Sequence, residues 1–299
     1  MEKRVVVTGA NRGIGKAIVE AILEADKETF VLLGSRDRGR GEAAREELLE
    51  ERPSWSGRLE VLEIDVSDGQ SVRRAAGEVA GKWNEERPLY GVVNNAGISG
   101  RDSPLEKVLE VNTYGPRRVF RAFSVLLQRG DEQPRARVVN MSSAAGPKFV
   151  SECRPSYQQL LIDDQVTWAG IEGFLQDCHS AANQAGSFEE AGVGNGSSYG
   201  LSKACLNAYT IHCARENPQW LINACTPGFI ETDMTRPRAK EKGVAPSEMG
   251  MKPPKEGTRS ALHLLLGDPG GSGWYFGSDG ERSPLDRYRS PGDPPYRGD

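Results

Sequence analysis

Three histidines, His179, His212 and His263, are too few and too scattered to build a zinc site. Cysteine is scarce as well. Cys153, Cys178, Cys205, Cys213 and Cys225 are odd in number and form no CxxC pair or metal-ligand spacing. That pattern points to reduced thiols in a cytoplasmic protein and away from a disulfide framework. Long apolar runs are missing: nothing approaches the roughly 18 residues of a membrane span. Met1-Glu2-Lys3-Arg4 runs into a strand pattern without the apolar region of a signal peptide. Surplus positive charge is missing too, since Lys and Arg total 38 against 42 Asp and Glu, for a net charge of -4. The arginines between Arg36 and Arg45 are interrupted by Asp37 and Glu42. No basic face for nucleic acid and no membrane contact is therefore expected.

What is present is a strand-helix rhythm. Arg4 to Thr8 is a short β-branched run fitting a strand buried on both faces. From Ile14 to Ala25 the apolar residues recur at helical spacing. Phe30 to Leu33 predicts a second strand and Gly41 to Glu51 a charged helix. Leu59 to Val66 predicts a third strand, and Ser67-Asp68 can cap a helix running to Trp83. Leu89 to Val93 and Val138 to Met141 are further strands, with one helix, Leu105 to Leu127, between them. Alternation of this kind predicts an α/β fold, a single Rossmann-type doubly wound parallel sheet with helices on both faces. One domain spanning residues 1–299 is expected, with a helical insertion at about 147–197 and a C-terminal tail at about 279–299 that is either frayed or a strap over the surface. Gly243 to Lys255 reads as a mobile lid, and Trp274 to Phe276 as the last buried strand. The insertion aromatics Phe149, Tyr157, Trp168 and Phe174 fit a pocket wall or local packing equally.

Ligands of such sheets bind at the carboxyl ends of the strands. Between the first strand and first helix stands Thr8-Gly9-Ala10-Asn11-Arg12-Gly13-Ile14-Gly15. Glycines there let the backbone approach a pyrophosphate, and the helix N-terminus offers unpaired N–H groups and a favourable dipole. After the second strand comes Gly34-Ser35-Arg36-Asp37. A carboxylate at that strand end would favour the ribose diol of NAD. Arg36 together with Arg12 instead suits the 2′-phosphate of NADP(H). Asp37 keeps NAD(H) open as the alternative.

With these residues in view, the chain resembles the short-chain dehydrogenase/reductase family over residues 4–278. The motifs are the glycine turn, Asp65-Val66, Asn94-Asn95-Ala96-Gly97, Asn112, Asn140-Met141-Ser142-Ser143, Tyr199-Gly200-Leu201-Ser202-Lys203 and Pro227-Gly228. The resemblance implies that Asp65 contacts adenine, that Asn95 and Gly97 line the adenosine and the strand end, and that Pro227, Gly228 and Thr232 hold the nicotinamide. Within the family the chain is similar to the monomeric carbonyl reductase branch, on its long insertion before Tyr199, on Leu221 to Gly228 and on Glu231-Thr232-Asp233-Met234. The insertion should cover a face used for dimerisation elsewhere, which implies a monomer. The arginine-rich tail departs from that branch.

The chemistry follows from the residue types. Reducing a carbonyl leaves an alkoxide that needs a proton, and free tyrosine, with a pKa near 10, gives one up poorly at neutral pH. Spacing of i, i+4 puts Lys203 on the helix face of Tyr199, where an ammonium would lower that value. Tyr199 is thus the candidate general acid, with Lys203 also binding the nicotinamide ribose. Ser143 would donate to the developing oxyanion, and Asn112 would hold a water linking Lys203 to solvent. NADPH-dependent reduction of a small-molecule ketone, aldehyde or quinone is the expected activity. Alcohol oxidation with NADP+, and a nucleotide-binding regulatory protein with little turnover, are the alternatives.

Overall fold

The computed structural model describes residues 2–83, 86–101, 103–128, 135–184, 188 and 191–298. Its sheet contains β1 (Arg4–Val7), β2 (Phe30–Ser35), β3 (Leu59–Glu63), β4 (Gly91–Asn94), β5 (Arg137–Met141), β6 (Leu221–Cys225), β7 (Tyr275–Phe276) and β8 (Arg282–Ser283). Spatial order is β3-β2-β1-β4-β5-β6-β7-β8. All neighbours are parallel except β8, which runs antiparallel to β7. The chain reverses its direction of travel across the sheet at β1, between β2 and β4. That switch point opens a crevice at the strand carboxyl ends.

Alternation along the strands splits the apolar residues between two layers. Val6 and Val138 face a core shared with α3 (Gly69–Lys82), α5 (Tyr114–Phe123) and α9 (Ser198–Glu216). Val5, Val7 and Val139 face the opposite core, made with α1 (Gly13–Ala25), α2 (Arg38–Glu51) and α11 (Arg259–Leu266). Burial on both faces is why these strands read as unbroken apolar runs.

The helix expected over Leu105 to Leu127 is interrupted. It forms α4 (Leu105–Asn112), α5 and a 3-10 turn at Ser124–Leu126. Pro116, in the first turn of α5, has no N–H to donate to the Asn112 carbonyl four residues earlier. The break therefore falls at Thr113 and leaves Asn112 as the last residue of α4.

The insertion forms α6 (Ala145–Ser151), α7 (Pro155–Ile162) and α8 (Trp168–Ala182); residues 185–187 and 189–190 of it lie outside the described residues. Its apolar side chains join the core of the sheet rather than forming one apart. The insertion aromatics are packing residues: Trp168 meets Tyr114 and Tyr209 edge-on at 5.6 and 5.5 Å, and Tyr157 meets Phe174 at 4.8 Å. Within 243–255, Met251 is buried and Lys252 bridges to Ile230. The remaining short helix, α10 (Arg236–Lys242), follows the loop after β6.

Of the two readings left for the tail, its contacts are those of a strap. Arg289 and Asp279 form an ion pair at 2.7 Å with both side chains largely buried. Arg289 also donates to the Asp293 and Pro294 carbonyls. Arg282 lies on the ring of Trp274, with the Tyr296 ring also within cation-π range.

Candidate active site

Thr8 is the hub of the cofactor end. Its hydroxyl donates to the Val93 carbonyl and accepts the N–H groups of Asn95 and Ala96. The Asn95 amide donates to the carbonyls of Thr8 and Gly9, both at 3.0 Å. Asn95 thus stitches the glycine turn to the loop after β4. Gly9 has φ +63°, and a Cβ there would stand 2.7 Å from the Ala96 Cα, so the two loops can lie this close only with glycine. Beyond them α1 begins at Gly13 with no side-chain cap and no acidic residue in its first turn. Free N–H groups and an uncompensated dipole at that point suit a pyrophosphate, so Asn11, Gly13, Ile14 and Gly15 fit the cofactor the sequence implies.

The two candidates for discriminating the cofactors differ in availability. Asp37 caps α2, its Oδ1 accepting the Arg40 N–H at 2.8 Å. Arg36 is exposed at the strand end. Asp65 sits nearby with Oδ1 held by the N–H and hydroxyl of Ser67, and Val66 follows it, buried. Burial works to raise the Asp65 carboxyl, but the Ser67 hydrogen bonds, with Lys107 and Arg36 behind them, bring it below the usual range. Arg12 is paired with Asp233 at 2.5 Å. A Cβ on Gly13 would come 3.5 Å from Thr232, so the segment after Pro227-Gly228 reaches over the glycine turn.

At the other end lies a cavity of about 850 Å³, with Ser143, Tyr199 and Gly228 in its lining. The Ser143 hydroxyl lines the same cavity as the Tyr199 phenol and is near enough to favour its ionisation. What brings them together is the crossing of α6 over α9. A Cβ on Gly146 would meet backbone atoms of Lys203 and Ala204 at 3.1 Å, so glycine there sets the close approach. Ser142 points away: it is buried and its hydroxyl donates to the Lys203 carbonyl.

Lys203, one turn beyond Tyr199, has its Nζ 5.7 Å from the Tyr199 ring centre and donates to the Met141 carbonyl at 2.8 Å. Burial lowers this ammonium to about 8. The lowered phenol expected from Lys203 is not the direction this environment gives. Burial raises Tyr199, and the opposing influences are the Ser143 hydroxyl and the Arg238 charge. Asn112 is engaged, its side-chain amide clamping both backbone groups of Ile98 and donating to Ser202. Gly97 lies between Asn112 and Lys203, within 3.3 Å of one and 3.7 Å of the other if a Cβ is added.

The family pattern described as short chain dehydrogenase matches residues 3–158. Carbonyl reductase (NADPH) 1 of Homo sapiens is 30% identical over 285 residues, covering 90% of this chain and 92% of its own. The chain belongs to the short-chain dehydrogenase family. (+)-Neomenthol dehydrogenase of Arabidopsis thaliana is similar to the same degree, 30% over 287 residues, covering 87% and 90%. Menthone neomenthol reductase from Mentha piperita superimposes with a TM-score of 0.74 at 25% identity, over 93% of this chain and 99% of that one. This short-chain dehydrogenase thus falls with the carbonyl reductase branch, and it is an oxidoreductase.

Some site residues escaped the sequence reading. Ser202 accepts from Asn112 and donates to the Tyr199 carbonyl, tying the start of α9 to α4. Its place beside Lys203 was the only signal. Arg238 carried none, nor did Arg287 of the tail, and both line the cavity.

Proposed function

We propose that this short-chain dehydrogenase reduces a small-molecule ketone, aldehyde or quinone to an alcohol with NADPH. The observation that carries the reading is the convergence of the Tyr199 phenol and the Ser143 hydroxyl on the wall of one cavity, with Lys203 one turn along. When bound, NADPH supplies the hydride to the carbonyl carbon. Ser143 donates to the carbonyl oxygen, polarising it in the transition state. Tyr199 gives that oxygen its proton. Lys203 holds the nicotinamide ribose and passes a proton back to Tyr199. Its supply is a water held by the Asn112 main-chain carbonyl, which Pro116 leaves without its helical partner. Pro227, Gly228 and Thr232 support the nicotinamide, Ala96 and Gly97 the adjoining backbone.

The exposed Arg36 favours NADPH, with Arg12 available once it leaves Asp233, and the engagement of Asp37 in a helix cap weakens the NADH reading. Packing of α8 over α5 and α9 through Trp168 supports a monomeric single domain, because it covers the face those helices would otherwise offer. Five free, buried thiols support a reducing, cytoplasmic setting. Among the described residues no helix is long and apolar enough to cross a membrane.

The test is NADPH oxidation followed at 340 nm against quinones, aldehydes and ketones, with NADH and Tyr199→Phe alongside. A fall in kcat of roughly 100-fold or more in the variant, with NADPH binding retained, is expected. Tight NADPH binding by the wild type with no turnover on the panel would point to a regulatory role instead.

A further inference from the structure

The cavity beside Tyr199 has an unusual charge balance. Arg101, Lys148, Arg238, Arg287 and Arg289 are in its lining and, among the described residues, no Asp or Glu is. Three of these cations are already engaged: Arg101 pairs with Glu241, Arg287 with Asp286 at 3.0 Å, and Arg289 with Asp279. Arg238 and Lys148 make no ion pair among the described residues. Both are exposed side chains that line the same cavity as Tyr199, and the Arg238 charge is among the influences favouring ionisation of the phenol. Phe229, Met234, Tyr275 and Tyr288 add apolar and aromatic surface to the same walls. Tyr288 is contributed by the C-terminal strap.

A site with one apolar flank and unpaired cations is built for an amphipathic anion. Arg238 has two donors in a plane to offer, the geometry that pairs with a carboxylate. We propose that the cavity takes a carbonyl compound bearing a carboxylate, with the Arg238 guanidinium as its anchor, Lys148 as a second cation and the apolar walls around its body. This rests on the reductase reading and narrows it to a substrate class. Neutral ketones would enter the same cavity without the anchor. A cation near the phenol also serves both substrate types, because it favours the phenolate left after proton transfer.

The experiment uses the full-length chain with para-benzoylbenzoate and its methyl ester, a pair differing in charge and by one methyl group. The quantity read is the ratio of kcat/KM for acid over ester within each protein, at saturating NADPH, so a general effect of Arg238 on Tyr199 cancels. The wild type should prefer the acid by about 10-fold or more, the scale of one charge-assisted hydrogen bond. Arg238→Met should bring the ratio near unity, Lys148→Met should reduce it, Arg238→Lys should keep part of it, and added salt should erode it. A wild-type ratio at or below one overturns the proposal. So does an unchanged ratio in Arg238→Met accompanied by weaker NADPH binding, which would assign the arginine to the cofactor. Calorimetric binding of the same pair to the NADP+ complex separates this inference from the reductase reading. Tighter binding of the acid, abolished in Arg238→Met, supports the anion site even where neither compound is turned over. Equal or absent binding of the acid overturns it even where the ester is reduced.

Discussion

A single buried ammonium sets the pH behaviour of this site. Lys203 is 4% exposed, and desolvation brings its pKa to about 8 from the ordinary 10.5. Below about 8 the ammonium is present to donate to a ribose hydroxyl, and above it the donor charge is lost. kcat/KM for NADPH, which reports the free enzyme, is expected to fall as pH rises through about 8. The stability effect has the opposite sign. The unfolded chain keeps this proton to about 10.5 while the native site releases it near 8, so the native state gains stability as pH climbs between those values. The five buried thiols, raised by burial, pull the other way at high pH in both proteins, so urea melts at pH 7 and 10 should show Lys203→Met losing more stability over that range than the wild type. Arg36 is the second residue whose replacement is informative. Its guanidinium is exposed at the end of β2, and a charge-assisted contact to a 2′-phosphate is worth about 1.5–3 kcal/mol. Arg36→Glu should weaken NADPH by roughly 10-fold or more and leave NADH binding equal or tighter, by fluorescence titration. A variant that binds both cofactors as the wild type does would remove Arg36 from the cofactor site.

Among the elements, the C-terminal strap is the one whose docking hangs on few contacts. Its centre is the Arg289 guanidinium, which bonds Asp279, the Ser283 hydroxyl and two carbonyls of the strap itself. Removing one partner of such a buried pair leaves the other charge uncompensated, at a cost of about 3–5 kcal/mol. Arg289→Ala should therefore release residues 284–298 to rapid trypsin cleavage and hydrogen exchange, with the sheet still protected. Protection equal to the wild type would show that Arg282, stacked with Trp274, holds the strap by itself. The α4–α5 break teaches the same lesson at another element. Apolar periodicity ran through Thr113 without interruption, and the missing N–H of Pro116 decided where the helix ends.

For the molecule as a whole, the insertion settles which surfaces remain open. Trp168 on α8 fills the space between Tyr114 of α5 and Tyr209 of α9, and Arg117 stacks on its other side at 4.1 Å. A chain of 32.6 kDa is expected to sediment at that mass at micromolar concentration; a species of twice the mass would mean that another face associates. Much of this architecture was legible in the sequence. The buried valine runs, the glycine turn and the Tyr-Lys spacing depend on local geometry, the periods of strand and helix and the reach of a side chain over one turn, so they mark β1, α1 and α9 without help from distant residues. The convergence of Ser143 and Tyr199 was legible only as part of a motif set. What brings the two together is the approach of Gly146 to the backbone of Lys203 and Ala204, across a long stretch of chain. The engagement of Asp37, the capture of Lys203 by Met141 and the charge of Arg238 beside the phenol are likewise products of tertiary packing. Residue types and their spacing determine the fold and the kind of chemistry, because both rest on short-range rules. Burial and long-range neighbours decide protonation, cofactor contacts and the charge of the substrate cavity, because desolvation and Coulomb interactions depend on which groups the fold brings near.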